Sequence, residues 1–239
     1  MVFKMKNFLL TGGSGVLGTE IKKTLQCEAP SSKVLNIKDM KTLYRYKFTK
    51  YTAVIHCAAY TDVPGCEKNK LLANEINIAG TRNVAEALKN NRIIYISTDY
   101  VYAGTNGNYS ELDATKPFNY YGFTKLAGEQ YMDPNKDLII RTSFKPNTEW
   151  KHKIAFNDLY TSADYVDIIA QEIIRLADSD VVGIINVGTE RKSIFDLVKR
   201  KQENIIAGSV KSVYNVSMPT DISLNIDKLN NIKRDKKWI

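Results

Sequence analysis

An α/β chain built on a parallel sheet with helices on both faces is predicted by three observations. Short apolar runs alternate with amphipathic stretches through the first 145 of the 239 residues, the runs are continuously apolar, and a glycine cluster follows the first of them. A strand covered on both faces keeps no polar side, whereas a half-solvated strand alternates, so continuous runs point to a buried parallel sheet.

In order, Asn7 to Thr11 reads as the first strand, closed by glycines, and Val16 to Leu25 as a helix with apolar residues three and four apart. Lys33 to Ile37, Ala53 to Cys57, Ile93 to Thr98 and Leu138 to Arg141 read as further strands. Asn74 to Leu88 and Gly122 to Met132 read as the intervening helices. After Phe144 the stretch KPNTEWKHKIAFND carries more turn and charged residues than apolar ones, which predicts an ordered loop. Thr161 to Ala177 is expected to be helical, with Ser162 as its cap and Val166, Ile169, Ile173, Ile174 and Ala177 on one face. A strand at Gly183 to Val187 and a short helix near Ser193 to Arg200 follow. The division this implies is a core over residues 1–145 and a smaller lobe over 146–239, with 162–190 returning to the core sheet.

Composition narrows the function. Hydrophobic content of 44% and charged content of 25% are those of a folded globular chain, and no run approaches the roughly 18 apolar residues of a membrane span. Lys+Arg 34 against Asp+Glu 26 gives +8, which favours phosphate-bearing ligands. The basic ending KRDKKWI lacks the aromatic or glycine-rich platform of a nucleic-acid binder, so no nucleic acid is expected. Cys27, Cys57 and Cys66 form neither an even disulfide set nor a metal spacing, and the opening apolar run Phe8 to Leu10 is too short for a signal peptide. No metal and a cytoplasmic location are the expectations.

The sharpest motif is TGGSGVLG, with Gly12, Gly15 and Gly18 three residues apart between a strand and a helix. Such a turn lets the backbone approach a pyrophosphate, whose charge the helix N-terminus then stabilises. Gly12, Ser14, Gly15, Val16 and Gly18 are the expected phosphate cradle. This GxxGxxG spacing resembles the short-chain dehydrogenase/reductase superfamily, in its extended branch acting on nucleotide sugars, and implies a Rossmann-type doubly wound sheet with a small C-terminal substrate lobe. The superfamily demands a hydroxyl residue at the end of the fourth strand and a Tyr-x-x-x-Lys on the next helix. Thr98 of STD, and Tyr121 and Lys125 of YGFTK, supply them. Tyr46 and Lys50 also match the spacing, but with no hydroxyl residue upstream they read as a helix surface.

The chemistry accounts for these types. Tyr121 would protonate the oxygen on which charge develops as hydride reaches a ketone, Thr98 would orient that oxygen, and Lys125 is expected to lower the phenol pKa electrostatically. The resemblance also implies that Lys125 hydrogen-bonds the nicotinamide ribose.

STDYVYAGTNGNYSELDATKPFNYYGFTKLAGE strongly resembles the dTDP-4-dehydrorhamnose reductase family, which reduces a 4-keto-6-deoxy sugar with NADPH or NADH. The likeness extends through CAAYTDVPGCE, RTSF, TSADYVD and GIINVGTE. It implies Ala58, Ala59 and Thr61 along the cofactor, Asp39 and Met40 beside the adenine, and Val63, Tyr100 and Tyr121 facing the sugar. Asp99 is followed by Tyr100 rather than the Glu of 4,6-dehydratases, which disfavours dehydration and leaves a 4-epimerase open. Phe144 stands where the family commonly has tryptophan. Asn36 and Lys38 stand where a ribose-binding acid would signal NAD, so NADP is favoured with NAD possible. Cys66-Glu67 matches a pair found in bifunctional epimerase-reductases, while a small buried residue is the plainer reading of Cys66. His56 reads as packing. A non-catalytic regulatory subunit of the same fold, and a homodimer through the helices at 74–88 and 122–132, complete the expectations.

Overall fold

A computed structural model of the chain describes residues 7–49, 51–210 and 219–235. Its centre is a five-stranded, all-parallel sheet of β1 (Phe8–Thr11), β2 (Ala53–His56), β3 (Ile93–Thr98), β4 (Leu138–Thr142) and β9 (Gly183–Val187), hydrogen-bonded in that order. Successive residues of a strand face opposite sides, and here both sides are apolar. Phe8 and Leu10 face one layer, where Leu17 and Ile21 of α1 (Val16–Thr24) and Ile169, Ile173 and Leu176 of α7 (Val166–Ala177) pack. Leu9 faces the other, against Val84 of α5 (Thr81–Ala87), Leu88 and Tyr95. The doubly wound prediction follows from this two-sided burial.

The second predicted strand is not formed. Lys33 to Ile37 is a series of turns, and the outer edge of β1 carries one parallel bridge between Leu9 and Glu28. Val34 N–H donates to Ser31 O at 2.9 Å, and the Asn36 side chain accepts from Lys38 N at 3.1 Å, so turn chemistry wins locally. Leu35 and Ile37 are nonetheless buried, which produced the strand-like pattern. α2 (Met40–Tyr44) follows, capped by Asp39; Tyr46 lies in turns beyond it, and Lys50 lies outside the described residues.

Helix α3 (Val63–Lys68) leads into α4 (Lys70–Ala73), a π-helical stretch at Asn74–Gly80, and α5. α6 (Tyr120–Glu129) begins two residues before its predicted start because Asn119 caps it, accepting from Gly122 N at 2.7 Å.

The segment expected to be a loop contains short strands. β5 (Phe144–Lys145) pairs in parallel with β8 (Asp164–Tyr165), β6 (Ile154–Phe156) with β11 (Ile206–Gly208), and β7 (Tyr160–Thr161) antiparallel with β10 (Lys192–Ser193). Consequently α7 starts at Val166 rather than Thr161, and Ser162 is not its cap. The Ser162 hydroxyl instead donates to Leu224 O and accepts from Leu224 N, both at 3.1 Å. α8 (Ile194–Lys199) carries a capping box from Ser193 and Asp196. Among the described residues no helix is long and apolar enough to cross a membrane.

Candidate active site

A cavity of about 650 Å³ opens at the carboxyl ends of the strands. In an open parallel sheet this is where ligands bind, because the loops there diverge. The glycine turn forms one wall. Gly12 has φ +72, and a Cβ on it would lie 2.6 Å from Ala58 N; one on Gly18 would lie 2.3 Å from Gly12 O. Both positions therefore admit only glycine without backbone movement. Gly15 caps α1 with no side-chain hydrogen bond and no acidic residue in the first turn, so the first N–H groups stay available to an anion. That cradle, not composition, is what fits a pyrophosphate.

Of the residues the sequence singles out, Gly12, Ser14, Gly15, Val16, Gly18, Asn36, Lys38, Ala58, Ala59, Thr61, Thr98, Tyr100, Tyr121, Lys125 and Phe144 all line this one cavity. Four do not. Asp39 spends its carboxylate on Lys41 N at 2.9 Å, and Met40 packs against the second core layer. Val63 lies at the start of α3, off the wall. Cys66 is fully buried, its Sγ 3.6 Å from Tyr60 O, and burial pushes its thiol up to about 11. Glu67 accepts from Tyr120 N at 2.7 Å, so the carboxylate of the pair braces the start of α6. With its pKa raised by burial, the thiol is held in its neutral form at neutral pH, which fits the plainer reading of Cys66 as a small buried residue.

Thr98, Tyr121 and Lys125 converge from β3 and α6. Thr98 is buried, accepts from Tyr100 N at 3.2 Å and donates to Asp99 Oδ1 at 3.1 Å, and its hydroxyl lies beside the Tyr121 phenol on the cavity wall. The Tyr121 ring meets the Tyr100 ring edge-on at 6.2 Å. Lys125 is buried, with Nζ 4.1 Å from the Tyr95 ring centroid. The expected acidification of Tyr121 by Lys125 is not found. Burial and the neighbouring Asp99, Tyr100 and Cys66 hold the phenol above its usual range, opposed by the polar Thr98 hydroxyl. Burial also lowers Lys125 to about 7, against the pull of Cys57 and Glu129, so its charge is itself marginal.

Beneath the cleft, Glu129 accepts from Arg141 Nε at 3.0 Å, Arg141 Nη2 at 2.7 Å and Ser97 Oγ at 2.6 Å. Arg141 also donates to Tyr102 OH at 2.8 Å. Glu129 lies four residues past Lys125, on the same helix face, and that spacing could have flagged it; nothing in the sequence names Arg141 as its partner. Asp99 also lines the cavity, and its place next to Thr98 in the chain is the signal for it. His56 is fully buried between Thr11 Oγ1 at 2.7 Å and Thr81 Oγ1 at 3.1 Å, and burial lowers it to about 3. It is a neutral packing residue. Among the described residues no cluster could hold a metal ion.

A glycine-cradled cleft in a doubly wound sheet, with Thr, Tyr and Lys meeting at its deep end, defines a dinucleotide-binding fold of the short-chain dehydrogenase/reductase class. Residues 5–148 match the family described as RmlD substrate binding domain. The chain is 30% identical to dTDP-4-dehydrorhamnose reductase of Mycobacterium tuberculosis, over 77% of this chain and 69% of that protein. It belongs to the dTDP-4-dehydrorhamnose reductase family. A Haloferax volcanii protein named as a probable low-salt glycan biosynthesis reductase is 36% identical over 56% of this chain, which spans about half, 52%, of that protein's length. The crystal structure of dTDP-4-dehydrorhamnose reductase from Bacillus anthracis in complex with NADP superposes with TM-score 0.86 at 27% identity, covering 96% of this chain and 93% of that one.

Proposed function

We propose that the chain reduces the 4-keto group of a nucleotide-linked 4-keto-6-deoxy sugar, with NADPH as the preferred reductant. The observation that carries this reading is the convergence of Thr98, Tyr121 and Lys125 on the cavity that the glycine turn also lines. When bound, the cofactor supplies hydride. The free N–H groups of α1 hold its pyrophosphate, Ala58, Ala59 and Thr61 run beside it, and Lys125 anchors it from α6. Thr98 and Tyr121 hold the ketone oxygen, and Tyr121 donates the proton that neutralises it. Tyr100 and Phe144 shape the sugar end. Mixing the protein with NADPH and a dTDP-linked 4-keto-6-deoxyhexose should consume cofactor and ketone together. A stable complex without turnover would favour a regulatory subunit instead.

Lys38 and Asn36 support NADP over NAD, since no acid stands at the ribose position and Lys38 Nζ is held only by an exposed contact of 3.4 Å to Glu75. One charge-assisted hydrogen bond to a 2′-phosphate is worth about tenfold in affinity. Lys38→Ala should weaken NADPH binding by about that factor and leave NADH binding unchanged, as read by fluorescence titration. Positive charge on this reading serves the phosphates of cofactor and substrate, not nucleic acid. Three free thiols suit the reducing cytoplasm. Leu71 and Phe123 are 77% and 48% exposed on α4 and α6. A homodimer through the helices at 74–88 and 122–132, where Phe123 is exposed, is expected, and sedimentation should show Phe123→Glu shifting it towards monomer.

A further inference from the structure

We propose that Thr142 is a cofactor-binding residue whose hydroxyl hydrogen-bonds the carboxamide of the nicotinamide ring. The inference rests on the reductase reading for its ligand and adds a residue which that reading leaves unused.

Thr142 ends β4 and is 3% exposed. Among the described residues, the buried side-chain atoms without a hydrogen-bond partner are Arg92 Nε, Thr142 Oγ1, Asp167 Oδ1, Glu172 Oε2 and Gln202 Oε1. Of these residues Thr142 alone lines the cleft. Arg92 and Glu172 are engaged through their other polar atoms, whereas a threonine side chain has no other. Its register neighbours do not answer it. Thr98 on β3 already accepts from Tyr100 N and donates to Asp99, and Val187 on β9 has no polar side chain. A buried hydroxyl without a partner weakens a fold, and valine has nearly the same shape without that cost. Structure alone therefore gives no reason for threonine here, and a ligand does.

Position selects the ligand. The cleft crosses the sheet in strand order, from Asn36 and Lys38 outside β1, over the glycine turn, past Ala58 and Ala59 after β2, to Thr98 on β3 and Thr142 on β4. No residue of β9 lines it, so Thr142 stands at its inner limit. Three strand spacings separate β1 from β4, about 14 Å. With the 2′-phosphate at Lys38 and the pyrophosphate at the glycine turn, the inner half of the dinucleotide runs toward β4, and its far end is the nicotinamide. A carboxamide offers both an acceptor oxygen and N–H donors, and a hydroxyl, with one proton and two lone pairs, can meet either. Oγ1 and Cγ2 branch from the same Cβ, so one rotamer step presents the hydroxyl to the cleft. By holding the carboxamide, Thr142 sets the rotation of the ring and thus the face turned toward the ketone at Thr98 and Tyr121.

The test compares two ligands and two variants by calorimetric titration, together with the Tm of the free protein. The ligands are NADPH and 2′-phospho-ADP-ribose, which is the same cofactor without its nicotinamide. Thr142→Val should weaken NADPH binding by about tenfold, the worth of one hydrogen bond, and leave 2′-phospho-ADP-ribose binding unchanged. Its free form should melt no lower than the wild type, because the hydroxyl it lacks had no partner. Thr142→Ser keeps the hydroxyl and should bind NADPH like the wild type even where the missing methyl lowers Tm. A structural role cannot give lost affinity beside retained stability. Unchanged NADPH affinity in Thr142→Val, an equal loss for both ligands, a lowered Tm of its free form, or the same loss in Thr142→Ser overturns the proposal. A loss confined to the KM of the sugar overturns it too, by giving the hydroxyl to the substrate. A wild type that shows the predicted binding pattern without turnover counts against the reductase reading alone.

Discussion

Tyr121→Phe is expected to lower kcat for ketone reduction by about 10²–10⁴, the usual worth of a positioned acid, with little change in stability. The substitution removes one oxygen and leaves the ring, so the edge-on contact with Tyr100 at 6.2 Å persists and α6 is still capped by Asn119. No other group at the deep end of the cleft replaces the lost proton. The Thr98 hydroxyl is engaged by Tyr100 N and Asp99, and Lys125 lies against the Tyr95 ring. Cofactor binding should survive, because the glycine cradle does not involve the phenol. The check is NADPH consumption alongside NADPH titration of the same sample. Near-normal turnover in the variant would mean that the proton comes from elsewhere.

The largest effect on stability is expected at Arg141. Its guanidinium is 4% exposed and makes a two-point contact with Glu129, which is 3% exposed. Arg141→Met would leave the Glu129 carboxylate buried with only the Ser97 hydroxyl at 2.6 Å. Stranding a buried charge in this way costs about 3–5 kcal/mol. For a chain of this size that is a Tm loss on the order of 10 °C, measurable by calorimetry or circular dichroism. Replacing both partners with apolar residues of similar volume should recover much of the loss, since the penalty lies in the unpaired charge. The same double replacement removes the carboxylate that supports the charge of Lys125. It should thus separate fold from function, giving a stable protein that binds cofactor poorly at neutral pH.

How much of this is legible in the sequence depends on whether the cause is local. The glycine turn and the continuous apolar strands carry their reasons in the sequence, as steric room at Gly12 and Gly18 and burial of β1 to β4 on both faces. Thr98, Tyr121 and Lys125 could be read because a strand end and one helical turn fix their spacing. Lys33 to Ile37 misled because Leu35 and Ile37 are buried by packing, without a ladder, while Asn36 and Asp39 impose turns and a cap. Ser162 looked like a cap because its partner, Leu224, lies 62 positions away. The electrostatics of the site were the least legible. The sign at Tyr121 is decided by burial and by Asp99, Tyr100 and Cys66, brought together from different segments, rather than by the lysine one turn away.

The most direct test of the central claim follows one atom. The protein is incubated with a dTDP-linked 4-keto-6-deoxyhexose and NADPH carrying deuterium at the transferable position of the nicotinamide, and the product is read by mass spectrometry and NMR. A single deuterium at sugar C4, lost together with turnover in Tyr121→Phe, is the predicted result. An unlabelled or ring-epimerised sugar, or an untouched ketone beside a bound cofactor, would contradict it.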